Sequence, residues 1–328
     1  MPERSSLTQG VQIGVETVPG TNVAADKQFS SIGIEPSVNV DMQDFRPMGN
    51  KYRTIITPGK EMVTADISGA GSYTELIYLF ACCLVSPGAP ATVDTTGKTW
   101  TFAPAAAAED TVKTLTVEQG GVVRAHKFNY GVVTEIEIDM NRENVEVSGS
   151  MIGQRISDAI TLTVGPTAVA QVPILPTDID VWIDPTSGAL GTTKMTRVLN
   201  ANIHLSDRFG PIWTLNSALT SFAAHVETEP TAEITLLVEA DTQGMANLPI
   251  MRGGTTQFCR IKGTSPTLAG ASTAFYSLIW DAAVKVSDVG DFSDEDGVYA
   301  IEWTFTMVYD ATWTKAYTVA VTNKIAAL

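Results

Sequence analysis

A chain of 328 residues, 44% hydrophobic and 17% charged, has enough apolar material for a packed core; this excludes a disordered polymer, and the length predicts two domains. A formal charge of −15 without a basic cluster excludes tightly held nucleic acid, because one polyanion repels another. The longest apolar run, 76–85, is about half a membrane-spanning helix, and the first residues lack a secretory leader, so cytosolic synthesis and no membrane partner are expected.

In chain order, residues 1–30 are polar and Gly-dotted and read as an N-terminal arm. Strand pattern starts at Ser31, with Val38, Val40 and Met42 alternating with Asn39, Asp41 and Gln43. Residues 45–61 read as a loop carrying Arg46, Lys51, Tyr52, Arg53 and Lys60, either partner-seeking or simply solvated. Alternation returns in Val63, Ala65 and Ile67 opposite Thr64, Asp66 and Ser68. Residues 72–85 predict a short helix, with Ser72 and Glu75 as a capping box and Leu76, Leu79, Phe80 and Cys83 on one face. Residues 86–111 read as loops around a strand at 99–102, followed by a strand at 111–118.

Residues 132–153 give the clearest pattern. Val133, Glu135, Glu137 and Asp139 alternate with Thr134, Ile136, Ile138 and Met140; beyond the polar tip Asn141-Arg142-Glu143, Val145, Val147, Gly149 and Met151 alternate with Glu146, Ser148 and Ser150. Two alternating arms around a tight tip make a β-hairpin with one oily and one acidic face. A Pro-rich stretch, 157–180, reads as a linker, and the second half then echoes the first. Residues 197–210 echo 38–43, 231–244 echo 62–72, and 299–310 echo 144–154, with Glu302, Thr304, Thr306 and Met307 in the phase of Glu146, Ser148, Ser150 and Met151. An internal duplication is expected, dividing the chain into an arm (1–30), a first β domain (31–156), a linker (157–180), a second β domain (181–312) and a C-terminal arm (313–328).

No catalytic or cofactor chemistry is expected. The three histidines, His126, His204 and His225, lack partners at metal-ligand or triad-like spacing in the chain. Cys82, Cys83 and Cys259 fit buried thiols better than disulfides. No phosphate-binding, dinucleotide-binding or nucleophile-elbow motif occurs. The acidic stretch 291–302 departs from a calcium loop, with Phe292 at the first position and Trp303 at the last. Asp296-Gly297 reads as a turn.

The order of elements in the first half, an extended arm, a strand, the 45–61 loop, VTADISGAGSYTELIYLF and the 132–152 hairpin, resembles the tail tube proteins of long-tailed bacteriophages. The resemblance spans nearly the whole chain and rests on pattern rather than on a diagnostic motif. It implies a mainly β fold of two tandem tail-tube-like β-sandwich or half-barrel domains, each with a short flanking helix, assembling into a ring with a β-barrel lumen. It also implies a homotrimeric ring with pseudo-sixfold symmetry, or a hexamer with the second half outside. Stacked rings would form the tail tube of a virion made in a bacterial cytoplasm, with tape measure, tail terminator and baseplate or tip proteins as partners. Double-stranded DNA would pass through without sticking.

On that reading Glu135, Glu137, Asp139, Glu146, Glu302, Asp66 and Glu239 line the lumen. Arg46, Lys51, Tyr52, Arg53 and Lys60, with the two terminal arms, make contacts between subunits and rings. The rivals are another virion component (minor tail, terminator or capsid-decorating protein) and a tandem β-sandwich binding carbohydrate or a cell surface. The latter requires Trp182, Trp213, Trp280, Trp303 and Trp313 to gather as an exposed platform.

Overall fold

The computed structural model describes residues 9–121 and 123–328 and is mainly β. The first half contains β1 (Gly10–Val15), β2 (Lys27–Phe29), β3 (Ile32–Phe45), β4 (Ile55–Ala70), helix α1 (Leu76–Cys83), β5 (Ala91–Val93), β6 (Gly97–Phe102), β7 (Leu115–Gly120), β8 (Ala125–Asn141), β9 (Val145–Gly153), β10 (Ser157–Ile160) and β11 (Thr167–Ala168). The second contains β12 (Ile179–Asp184), β13 (Lys194–Met195), β14 (Val198–Ser206), β15 (Phe209–Ile212), β16 (Ala224–Glu227), β17 (Thr231–Glu239), α2 (Asn247–Gly253), β18 (Gln257–Leu268), β19 (Phe275–Glu295), β20 (Val298–Met307) and β21 (Tyr317–Asn323).

The backbone of the molecule is an antiparallel run in the order β3-β4-β9-β8-β14-β17-β20-β19. The first four strands and the last four have the same topology. Residues 32–37 of β3 correspond to 201–206 of β14, 64–70 of β4 to 231–237 of β17, and 146–151 of β9 to 302–307 of β20, each at a constant separation along the chain. The second copy of β3 is therefore 201–206 matched to 32–37, and not to 38–43 as strand alternation alone suggests; a period of two fixes the face but leaves slips by even numbers of residues unresolved.

Both halves also wrap this run in the same way. β8 is long enough to pair with β7 and β10 along its first part and with β9 and β14 along its second, and β7 pairs with β1. Likewise β19 pairs with β18 and β21, then with β20, and β18 pairs with β12. The apolar residues from both halves form one large cluster, with a smaller one of Val112, Tyr130, Val132, Ile152, Phe209 and Phe222 that also joins the halves. Phe80 of α1 packs edge-on against Phe102 at 5.6 Å and against Trp280 of the second half at 6.0 Å.

Several expectations are corrected. Residues 10–15 and 27–29 are strands rather than an arm: Ile13 is fully buried and β1 pairs with β7, because its alternating Val11, Ile13 and Val15 supply an apolar face; residues 1–8 lie outside the described part. The 157–180 linker contributes β10 to β8 and β11 to β2. The C-terminal arm contains β21, held between β19 and β6 with Val319 and Val321 buried. Residues 45–61 are the outer part of a long hairpin in which β3 pairs with β4 out to Phe45 and Ile55, leaving only 46–54 as its tip.

The helix is placed correctly but stabilised differently. All eight residues of α1 are buried, no side chain caps it, and Ser72 bonds Thr74 at 2.8 Å instead. Glu75 turns away to accept from the backbone N–H groups of Ser30 (2.6 Å) and Ile32 (2.9 Å) and from the Ser31 hydroxyl (2.7 Å). A buried carboxylate needs such donors more than the helix needs the cap.

Candidate functional site

In an antiparallel sheet, residues directly opposite one another share a face. Successive rows across the run read Glu35, Asp66, Ser150 and Glu135, then Ser68, Ser148, Glu137, His204, Glu233 and Thr306, then Glu146, Asp139, Asn202, Thr235 and Thr304. Glu302 stands opposite Leu237 on the same side, and Glu239 follows two residues beyond Leu237. All seven acids singled out from the sequence thus lie on one face of one sheet. The other face carries Ile136, Ile138, Val147, Ile203, Ile234, Trp303 and Phe305, all buried. The period-two pattern produces this division directly, and the strand register joins the separate patterns into one surface.

The acids differ in how they are held. Where the halves meet, β8 pairs with β14 over six residue pairs, Asn141↔Asn200 to Ile136↔Leu205, and a ladder of side chains crosses the seam. Asp139 accepts from Asn200 at 2.8 Å, Glu137 from Asn202 at 2.6 Å, and Glu135 lies 2.8 Å from His204 Nε2. Ser148 and Ser150 approach Glu137 and Glu135 from the other side at 3.3 and 3.4 Å. Asp66, Glu146 and Glu302 are exposed. Glu239 is paired with Arg197 at 2.5 Å, so it is the least free of the seven.

Close backbone approach explains one glycine on this hairpin. A Cβ at Gly149 would fall 2.3 Å from the Glu135 carbonyl oxygen, beside the irregularity between Val133 and Glu135. Its counterpart in the second half, Phe305, has room for a full ring and is completely buried. The predicted turn at Asp296-Gly297 has positive φ at both residues, 56° and 82°, as a two-residue hairpin connection requires.

The basic residues occupy a separate feature. The β3–β4 hairpin projects as an arm whose outer residues are all exposed, including Val38, Val40, Met42, Phe45, Met48, Tyr52, Ile55 and Ile56. Arg46, Lys51, Tyr52 and Arg53 sit on its tip, where Arg53 pairs with Asp44 at 2.8 Å and the Lys51 ammonium lies 5.6 Å from the Tyr52 ring. Lys60 is at the base, over the Trp213 ring and bonded to the Thr214 carbonyl; Glu61 N–H donates to Thr220 O at 2.9 Å. The β15–β16 hairpin, which sequence reasoning missed, thereby braces the arm. β4 runs from the arm toward the rim where the 141–144 tip lies. The acidic tip of β19–β20 joins that rim, with Arg142 2.8 Å from Asp296. The arm and these tips therefore lie at opposite ends of the strands.

Elsewhere the polar chemistry is structural. Two of the three histidines do have acidic partners, brought across the sheet rather than along the chain: Asp158 for His126 at 3.1 Å and Glu135 for His204. His225 contacts the Tyr130 hydroxyl at 3.2 Å, and burial lowers its pKa. Burial pushes the Cys83 and Cys259 thiols up to about 12, far from the thiolate form a nucleophile needs. Among the described residues, no three His, Cys, Asp or Glu converge as metal ligands, and no helix is long and apolar enough to cross a membrane. Trp280 and Trp303 are both fully buried, so the five tryptophans do not form an exposed platform. No protein-family model matches the chain, and no curated protein resembles it significantly.

Proposed function

We propose that this chain is the subunit of a hollow tube that conducts double-stranded DNA, a tail tube protein of a long-tailed bacteriophage. The observation that carries the reading is the eight-stranded run with one apolar face against the core and one acidic face spanning both repeats. Closed into a barrel, such a run presents a continuous carboxylate lining. A lining that repels phosphates and releases no counterions lets a duplex slide.

Ring size follows from strand geometry. Three chains of eight strands give 24; at ~4.8 Å spacing and ~40° tilt they enclose a backbone circle about 48 Å across and leave a bore of roughly 38 Å. Two chains would leave only about 22 Å on the same basis, barely the width of a duplex. Because the second half supplies four of the eight strands instead of sitting outside, a homotrimer with pseudo-sixfold symmetry is favoured over a hexamer. The projecting arm, with Arg46, Lys51, Tyr52 and Arg53 at its tip and Lys60 at its base, is assigned to contacts with the adjoining ring. A tape measure protein would fill the bore during assembly, and terminator and tip proteins would close the ends.

Negative-stain electron microscopy of the purified protein tests the reading. Long hollow polymers with a stain-filled axial channel are the expected outcome. Protein that stays monomeric at every concentration, or that decorates other particles without polymerising, overturns it.

A further inference from the structure

We propose that the unpaired edge of β19 in one copy of this chain pairs with the unpaired edge of β3 in the next, in the register of the internal β8–β14 seam. This rests on the ring reading above and specifies its interface. Among the described residues, β3 in the main run pairs only with β4, and beyond Val284 β19 pairs only with β20, so the run ends in two open edges. Such edges invite pairing with another chain. The repeat supplies the template, because β3 is the counterpart of β14, and β19 is the counterpart of β8.

The register can be written residue by residue. Ile138 and Val289 face Val147 and Trp303, which correspond; Met140 and Phe292 face Val145 and Ile301, which also correspond. Ile203 and Ile34 face the equivalent Ile234 and Ile67. The internal pairs Ile138↔Ile203 and Met140↔Ala201 thus become Val289↔Ile34 and Phe292↔Ile32 between copies. Pro36 falls opposite Val286 at the end of the junction, where its missing N–H removes at most one bond of the ladder.

Three features of the edges fit this partner. First, Met140 is 5% exposed inside the seam, whereas its counterpart Phe292 is 49% exposed; the second lacks the neighbour that covers the first. Secondly, a groove bordered by Val11, Phe29, Ser30, Ile32, Ile34 and Gln119 runs along β3. The matching depression in the second half, beside Ile179, Val181, Met195 and Ala201, contains Met140 and Asn141 of the β8 tip in its wall. The Phe292 side of β19 is the element that would complete the open one.

Thirdly, the charge contact is reproduced with its sign exchanged. Glu135 meets His204 in the seam; the counterparts are Lys285 and Glu35, both exposed. Asp288 also comes opposite Glu35, a like-charge pair that disfavours contact. Lys285 therefore carries the compensating charge, and the junction is sensitive to its sign.

Cross-linking and charge exchange test the proposal together. Residues directly opposite in antiparallel strands have Cβ atoms about 4.5–5.5 Å apart, close enough to bridge with small adjustments. Cys82, Cys83 and Cys259 are buried and do not compete. On oxidation, the E35C/D288C variant is expected to give covalent dimers and trimers and nothing larger, while either single cysteine gives none. K285E should cut polymer yield at least tenfold with an unchanged circular dichroism spectrum, because Glu35 then faces two carboxylates, and E35K/K285E should restore it. Normal tubes without the covalent species, or no rescue by the exchanged pair, overturn the edge pairing but leave the tube reading intact. Covalent ladders beyond three chains overturn closure at three. Unmodified protein that never polymerises overturns the tube reading and this interface with it.

Discussion

Arg208 shows how much of the fold depends on single buried groups. It donates to the Cys83 and Leu84 carbonyls at the end of α1 (3.1 and 2.9 Å), to Glu227 at 2.8 Å and to Asp110 at 3.3 Å. Burial pushes the Asp110 carboxyl up despite that cation. Removing one member of a buried ion pair strands its partners, so Arg208→Ala should cost about 3–5 kcal/mol, read from urea unfolding of the monomer. Asp94 makes the corresponding link at the surface. Backbone N–H groups of Thr273, Ser272 and Ala274 hold its carboxyl below the usual carboxylate range. A depressed folded pKa contributes stability that is complete above the unfolded value of about 4 and is lost as pH falls through the folded one. Asp94→Asn should therefore melt below the unmodified protein at pH 7, and the gap should narrow as pH drops from about 4 toward 2. Neither set of contacts could be read from the chain, since Arg208 reaches back 124 and 125 residues to the end of α1 and Asp94 meets backbone 178 to 180 residues further on.

At the scale of elements, local chemistry was legible where one face is buried and the other is wet. Residues 132–153 form the predicted hairpin because 135–140 and 145–148 alternate in period two, although a bulge between Val133 and Glu135 buries Val133 and turns Thr134 toward Ser150, the reverse of their expected faces. The same reasoning failed for the arm. Ile55, Ile56, Thr57, Pro58 and Gly59 are all exposed on both faces, so no alternation marks them as strand. Their partner is β3, and the apolar Val38, Val40 and Met42 continue the core face of that strand beyond the body of the molecule. This makes the arm separable. Replacing residues 44–56 with Asn-Gly joins Gln43 to Thr57, which already face each other, through a favoured turn that the Thr57 N–H can close. The monomer should keep its melting temperature within a few degrees, while polymers vanish from micrographs; normal tubes from this variant would refute the arm's role in stacking.

For the whole molecule, the structure also changes which acids give the cleanest test of the conduit. Glu135, Glu137 and Asp139 are engaged by His204, Asn202 and Asn200 across the seam, and reversing them would disrupt folding as well as charge. Asp66, Glu146 and Glu302 are exposed on the same face. Changing these three to lysine should leave polymer formation intact and slow DNA ejection from assembled particles by tenfold or more, because a local cationic lining captures phosphates. Ejection at the unmodified rate would count against a lumen position for this face.

The sequence by itself determined what repeats locally: the β character, the oily and acidic faces, the short helix and the echo of Glu146, Ser148, Ser150 and Met151 in Glu302, Thr304, Thr306 and Met307. Such features depend on neighbours two to four residues away, and side-chain alternation records them directly. Only the tertiary structure decided how the pieces join. The expected arms and linker contribute β1, β2, β10, β11 and β21, the two predicted domains share one large core, and the seam from Asn141↔Asn200 to Ile136↔Leu205 made two hairpin systems into one sheet. Strand partners are chosen by burial and backbone hydrogen bonding across long stretches of chain, and no period within a single strand encodes that choice.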